Sequence, residues 1–459
     1  MKTLNTILTV LSLCAAFFAQ GTDTPLRFKA EFSLDKGESI RASRLYDGGG
    51  KLLIVGTKSM RIWSVADARL LAARPHEIVP VGGFRETVYE ISPDGQKIIA
   101  VDETGAGRLK EGDSKATAVA YSSETGKRIA ALQRPGFAVR HIEWSKNSDV
   151  LVSFSGLEAQ ETTDVAFWNG RDLSLRGSII VKGYTWHYLS KNGKRIFIGS
   201  GGRAKMPGMD TGPGKADVVR VYNTATGVLE RELTAGGPKF YVEAAYTKMS
   251  PDERYLAAVL EKEKVLVWDL DAAEKTPKYE IAIEGTENYL YSIGFAGDGE
   301  FLYLAQKRTQ KFYDPATGKP ASEIPEMRDF KYASGKVFLT PDRKYAVLKS
   351  CGGAEVRDLS SNRELYSFKL DCKSYTQLPP IMVPDSLPGY AAGNDLIAID
   401  SRGKLLLAFR AGIGKVRALE TGKILQTLPE VKEYTWSVEG ELVTAMSQNE
   451  RAMLIWKIE

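Results

Sequence analysis

Between residues 244 and 283 apolar and polar positions alternate in four short runs separated by turn residues. The first passes through Tyr246 and Met249 to Ser250-Pro251-Asp252-Glu253, and the others cover 255–260, 265–270 and 279–283. Each is rich in β-branched and aromatic side chains and is bounded by Pro, Asp, Gly or charge, which favours strand over helix. No window of the chain sustains the three-and-four spacing of an amphipathic helix. The pattern predicts four antiparallel strands joined by short turns.

The same unit recurs with less fidelity along the chain. Its third strand is the easiest to follow, at residues 60–65, 117–122, 164–169, 217–223, 264–270, 309–314, 354–359, 414–420 and 452–458, nine copies. Before most of these comes a hairpin marked by Ser92-Pro93-Asp94-Gly95, Lys191-Asn192-Gly193, Gly297-Asp298-Gly299, Thr340-Pro341-Asp342 or Ser401-Arg402-Gly403. Such residues supply the preset or positive φ of a tight turn. Four units carry Thr-Gly after the third strand, ending in Gly126, Gly227, Gly318 and Gly422, and these glycines are expected in the left-handed position of a bulged hairpin.

Units of four strands repeating at about 40 to 50 residues are the signature of β-propeller blades. The expected fold is all-β, a single closed β-propeller of four-stranded antiparallel blades. Eight or nine blades are expected: nine units are counted, but residues 377–400 are irregular. The last unit, with strands at 434–438, 441–446 and 452–458, ends one strand short, while residues 26–34 form a strand without a unit. That N-terminal strand is expected to close the last blade and leave no open edge there.

A chain with 43% hydrophobic and 26% charged residues is globular. Lys and Arg exceed Asp and Glu by 62 − 57 = 5, too few and too scattered to direct it to nucleic acid. Residues 1–21 read as a signal peptide, with Lys2, an apolar run at 7–18 and the small-x-small site Ala19-Gln20-Gly21. The propeller domain is then 22–459, exported to the periplasm or medium, with no membrane span after cleavage.

The Ser-Pro-Asp-Gly hairpins, the third strand ending in Trp268-Asp269 and the Thr-Gly-Lys turns resemble the WD-repeat superfamily and its looser exported bacterial relatives, over essentially residues 26–458. The departures are Trp63-Ser64, Trp168-Asn169, Tyr313-Asp314 and Arg357-Asp358 in place of Trp-Asp, and the absence of the family's Gly-His pair. The buried Asp-His-Ser-Trp network of that family is therefore not expected to form. The resemblance implies a divergent binding propeller without naming its partner.

Catalytic and metal-binding patterns are not found. His76, His141 and His187 are scattered singly and are read as packing or surface residues. Gly212-Pro213-Gly214-Lys215 has the wrong spacing for a phosphate loop, and Ala216 stands where Ser or Thr is needed. No Gly-x-Ser-x-Gly elbow occurs, and the docking Trp and adjacent cysteines of quinoprotein propellers are missing, so no cofactor is expected. After removal of the leader Cys351 and Cys372 remain, following the second and fourth strands of the seventh unit. Both are expected on one rim, with about 9.5 Å between strand axes for loop residues to close into a disulfide, free thiols being the alternative.

Long connections fall at 102–116, 155–163, 199–216 and 373–394, all on the face that carries second-to-third-strand and blade-to-blade links. Long loops on a rigid scaffold are where recognition resides. The candidate binding residues are Arg108, Lys110, Glu111, Asp113, Arg203, Lys205, Met206 and Asp210. The function expected is an exported, non-enzymatic platform for a protein or ligand, the partner being another exported or envelope protein. The alternative is a propeller enzyme acting on a small molecule or glycan in the axial channel, distinguished by ionisable side chains that converge there with perturbed pKa values.

Overall fold

The computed structural model describes residues 25–75, 87–102, 118–132, 139–157, 162–182, 184–200, 218–234, 242–260, 264–283, 290–306, 309–321, 324, 327–328, 336–350, 353–370, 396–410, 412–432, 437–439 and 441–459. They form nine four-stranded antiparallel sheets, the blades of a β-propeller. Strand β1 (Leu26–Ser33) comes first, followed by blade 1 as β2 (Ile40–Tyr46), β3 (Lys51–Gly56), β4 (Ser59–Ser64) and β5 (Arg69–Pro75). Blade 2 is β6 (Thr87–Ile91), β7 (Lys97–Asp102), β8 (Ala118–Ser122) and β9 (Arg128–Ala131); blade 3 is β10 (Val139–Trp144), β11 (Val150–Leu157), β12 (Thr162–Asn169) and β13 (Leu175–Lys182). Blade 4 is β14 (Tyr184–Leu189), β15 (Arg195–Ser200), β16 (Val218–Asn223) and β17 (Leu229–Leu233); blade 5 is β18 (Val242–Met249), β19 (Tyr255–Leu260), β20 (Lys264–Asp269) and β21 (Tyr279–Ala282). Blade 6 is β22 (Leu290–Ala296), β23 (Phe301–Gln306), β24 (Thr309–Tyr313) and β25 (Met327–Arg328); blade 7 is β26 (Lys336–Leu339), β27 (Tyr345–Ser350), β28 (Gly353–Asp358) and β29 (Glu364–Lys369). Blade 8 is β30 (Leu396–Ile399), β31 (Leu405–Arg410), β32 (Ile413–Ala418) and β33 (Ile424–Thr427). Blade 9 takes β34 (Ser437–Glu439), β35 (Leu442–Met446) and β36 (Ala452–Ile458) from the C-terminus and β1 from the N-terminus.

The hairpin between first and second strands has one recurring cause. In five blades a hydroxyl at Ser92, Ser145, Ser190, Ser250 or Thr340 accepts the backbone N–H five residues on, at 2.8–3.0 Å. The same hydroxyl donates to the Asp or Asn two residues on. This local bonding closes the turn without help from other strands, and Asp400 does the accepting in blade 8. The four Thr-Gly glycines take φ of +70° to +74°, the left-handed conformation expected. Gly422 needs both that φ and the missing side chain, since a Cβ would lie 2.7 Å from the Tyr366 ring.

Blades are held together face to face. Nine apolar clusters of buried residues each join one blade to the next, including blade 9 to blade 1. Successive first strands approach one another around the axis, as β2 does β6 and β14 does β18. Last strands lie on the perimeter, where β5 is exposed along nearly its whole length. Closure is carried by β1, paired with β36 from Leu26↔Ile458 to Ser33↔Ala452. The Gln426 amide of blade 8 fixes the start of β1, accepting from Leu26 N and donating to Leu26 O, both at 3.0 Å.

The irregular stretch at 377–400 ends in a true strand, β30, so the eighth unit is real and the ring has nine blades. One expectation is corrected. Residues 155–163 are not a long loop, because β11 and β12 extend to Leu157 and from Thr162 and leave only 158–161 between them. No helix among the described residues is long and apolar enough to cross a membrane.

Candidate functional site

Aligning the blades on their first hairpin defines a position two residues before the hairpin Ser. It holds Glu90 in blade 2, Glu143 in blade 3, Tyr188 in blade 4 and Lys248 in blade 5, and by strand register Arg44 in blade 1. In blades 6, 7 and 8 it holds Gly294, Phe338 and Ala398. Side chains alternate between the two faces of a strand, and this position faces the following blade. Arg44 Nη1 accordingly donates to Ile91 O of blade 2 at 2.8 Å, and Tyr188 OH donates to Glu253 Oε1 of blade 5 at 3.3 Å. Blades 1 to 5 thus carry an arc of polar and ionisable groups beside the axis.

The densest part of the arc is the seam between blades 3 and 4. Glu143 Oε2 lies 2.9 Å from His187 Nε2, and each side chain is only 5% exposed. Phe154 stacks on the His187 ring with centroids 4.0 Å apart. His141, four residues before Ser145, comes from blade 3 with its ring centroid 5.6 Å from that of His187. The His141 Nε2 atom is buried and has no hydrogen-bond partner. Burial, and then the neighbouring His187, hold the His141 pKa down to about 3. Glu90 is pushed up to about 7 by burial and further by the Glu143 charge, against the opposing pull of Arg44. Burial, reinforced by Glu253, raises the Tyr188 phenol.

Chemically this is a buried carboxylate–imidazole pair flanked by a carboxyl that titrates near neutrality and by an imidazole kept neutral. Among the described residues, no group of three His, Cys, Asp or Glu side chains is placed to hold a metal ion. Reading His141 and His187 as isolated residues missed this site. They fall four and three positions before equivalent serines of consecutive units, so opposite parity on adjacent first strands turns them toward each other. Repeat alignment carries that signal; motif search does not.

The residues chosen from loop length fall elsewhere. Arg108, Lys110, Glu111 and Asp113, and Arg203, Lys205, Met206 and Asp210, lie outside the described residues, as do Cys351 and Cys372. The strand ends that flank them are described. Asp102 and Ala118 bound the first group in blade 2, and Ser200 and Val218 bound the second in blade 4, with blade 3 between. In a four-stranded meander these ends and the blade-to-blade links leave on one face.

Of the Asp-His-Ser-Trp network, one link is seen among the described residues, in blade 3, where Trp168 Nε1 donates to Ser153 Oγ at 2.8 Å. Blades 7 and 8 replace the strand-end Trp by Arg. Arg357 Nη1 donates to Asn362 O at 3.1 Å and Arg417 Nη1 to Gly422 O at 2.9 Å, so each guanidinium ties down the turn that follows its strand.

No protein-family model and no curated protein matches the chain. Solved structures do match in fold. One described as the crystal structure of the eukaryotic initiation factor has a TM-score of 0.55 at 12% identity, over 87% of this chain and 90% of that one. At that identity the likeness concerns the fold alone, and the chain is a nine-bladed β-propeller.

Proposed function

We propose that this is a divergent WD-like propeller that serves outside the cytoplasm as a non-enzymatic binding platform for another exported or envelope protein. The observation that carries the reading is the unequal use of the two faces. On one face, first-to-second-strand hairpins are tight turns such as 92–97, 145–150 and 190–195. On the other, strands are joined by residues 103–117, 201–217 and 370–395. The three longest connections between described strands thus leave the sheets on one face of a rigid scaffold, which is how recognition surfaces are built. Lys2, the apolar run at 7–18 and Ala19-Gln20-Gly21 support export.

A propeller enzyme is the second reading, and the observation that favours it is the Glu90 carboxyl, whose pKa near 7 suits proton transfer at neutral pH. Against it, Glu143 and His187 satisfy each other within a closed seam and are 5% exposed. The deciding experiment replaces 103–117 and 201–217 by tight turns and repeats partner capture from the native exported fraction. A folded variant that captures nothing supports the platform. Undiminished capture by that variant moves the site off these loops.

A further inference from the structure

The inner seam between blades 3 and 4 is built differently from its neighbours. The seam of blades 5 and 6 is apolar, with Val259, Val265 and Ile281 against Ile293, Leu302 and Leu304. At the inner end of the blade 3–4 seam, two imidazoles and a carboxylate are packed with Phe154, and His187 and Glu143 are each 5% exposed. Glu143 is matched with His187, but His141 Nε2 is buried with nothing to bond to. A neutral imidazole tolerates that enclosure. An imidazolium would need solvent or a partner for a second N–H and would stand 5.6 Å from the next imidazole ring.

We propose that this seam is an acid-sensitive latch, in which proton uptake by His141 and separation of β10 from β14 at the inner rim occur together. The latch is a property of the ring and does not depend on which partner the platform serves.

The groups around His141 set the direction of the response. Across the seam stands His187, held by Glu143; on the far side of β14, Tyr188 is bonded to Glu253 of blade 5. From blade 2, Glu90 interacts with Glu143, and Arg44 of blade 1 lies behind Glu90. None of these carboxylates is hydrogen-bonded to His141, so closing the seam takes its Nε2 atom out of water without supplying a counter-charge. The depressed His141 pKa agrees with that geometry. A proton is bound readily in the open seam, near the ordinary value of 6.5, and poorly in the closed one. Acidification from pH 7.5 to 5.0 should raise the local opening constant by about thirtyfold, because each unit below 6.5 is worth up to about tenfold.

The test is hydrogen–deuterium exchange of the full-length protein at pH 7.5 and 5.0, corrected for intrinsic chemical exchange and read on peptides covering β10 and β14. Peptides covering β19, β20 and β23, in the apolar seam, serve as the internal reference. The expected result is an acid-induced gain of exchange in β10 and β14 well above the reference, lost in His141→Phe and in His141→Gln. A uniform response across seams in the wild type, or an excess that persists in either folded variant, overturns the proposal. Should neither variant fold, the comparison of seams in the wild type decides alone.

Discussion

Removing the Phe32 side chain tests whether the N-terminal strand holds the ring closed. Phe32 is fully buried in β1 and packs in the seam of blades 9 and 1, among Ile40, Leu45, Ile54, Met453 and Ile455. Its ring meets Trp63 edge-on with centroids 5.5 Å apart. Phe32→Ala removes the buried ring and leaves a cavity between blades, which costs about 3–5 kcal/mol. Unfolding entropy scales with length at about 2.1 cal/mol/K per residue, so a ring of this size that melts as one unit loses on the order of 0.9 kcal/mol per degree. The melting temperature should therefore fall by about 3–5 °C. Deleting residues 22–34 should do more, because it also removes Leu26, Ala30 and Leu34 from two seams and exposes the edge of β36. The assay is thermal unfolding followed by circular dichroism, with light scattering to detect edge-to-edge association. An unchanged melting temperature in the deletion variant, with one cooperative transition, refutes the closure argument.

Gly422→Ala forces a side chain into a residue at φ +70° and within 2.7 Å of the Tyr366 ring, so it should destabilise by about 1–3 kcal/mol in denaturant titration. Cys351 and Cys372 follow β27 and β29, parallel strands that end on the same face, and a disulfide is expected if the protein is exported as proposed; two alkylated thiols by intact mass without reductant, on the folded protein from the exported fraction, would end that expectation. Glu90→Gln should stabilise the protein above pH 7 by up to about 3 kcal/mol, since the ordinary value of 4.5 is raised to about 7. A carboxyl raised in the fold contributes stability that is full below pH 4.5 and lost as pH rises through 7, so wild type and variant should converge toward pH 4.5, and parallel curves would count against the burial argument.

The third strands were legible in the sequence because they lie inside their sheets. Each has a hydrogen-bonded neighbour on both sides and apolar contacts on both faces, so Val265-Leu266-Val267-Trp268 reads as an unbroken apolar run ending at a turn. Expected and observed bounds agree to within about two residues for all nine. Hairpin turns were legible because their chemistry is local, as in Ser250 and Asp252. First strands were legible as strands, as in the run through Tyr246 and Met249, but the partners of their side chains were not. One edge faces the axis, and what their side chains need is set by the adjacent blade, roughly 45 residues away in sequence. Nothing in the local sequence pairs Glu143 with His187, which meets it only across the seam.

That dependence on the next blade also lets neighbouring seams carry opposite responses to protons. In a ring of repeats, stability is approximately a sum of blade and nearest-neighbour terms. Glu90, raised in the fold, binds a proton more tightly folded than unfolded between pH 7 and 4.5, so acidification strengthens its surroundings there. His141, depressed in the fold, contributes stability that is full above 6.5 and lost as pH falls toward 3. Where the windows overlap, from 6.5 down to 4.5, each slope approaches about 1.4 kcal/mol per pH unit with opposite sign. For these two groups the sum is nearly flat while the distribution is not: the blade 3–4 seam weakens as the surroundings of Glu90 tighten. Global stability is therefore a poor reporter of what acid does to this ring, and exchange resolved by blade is the informative one.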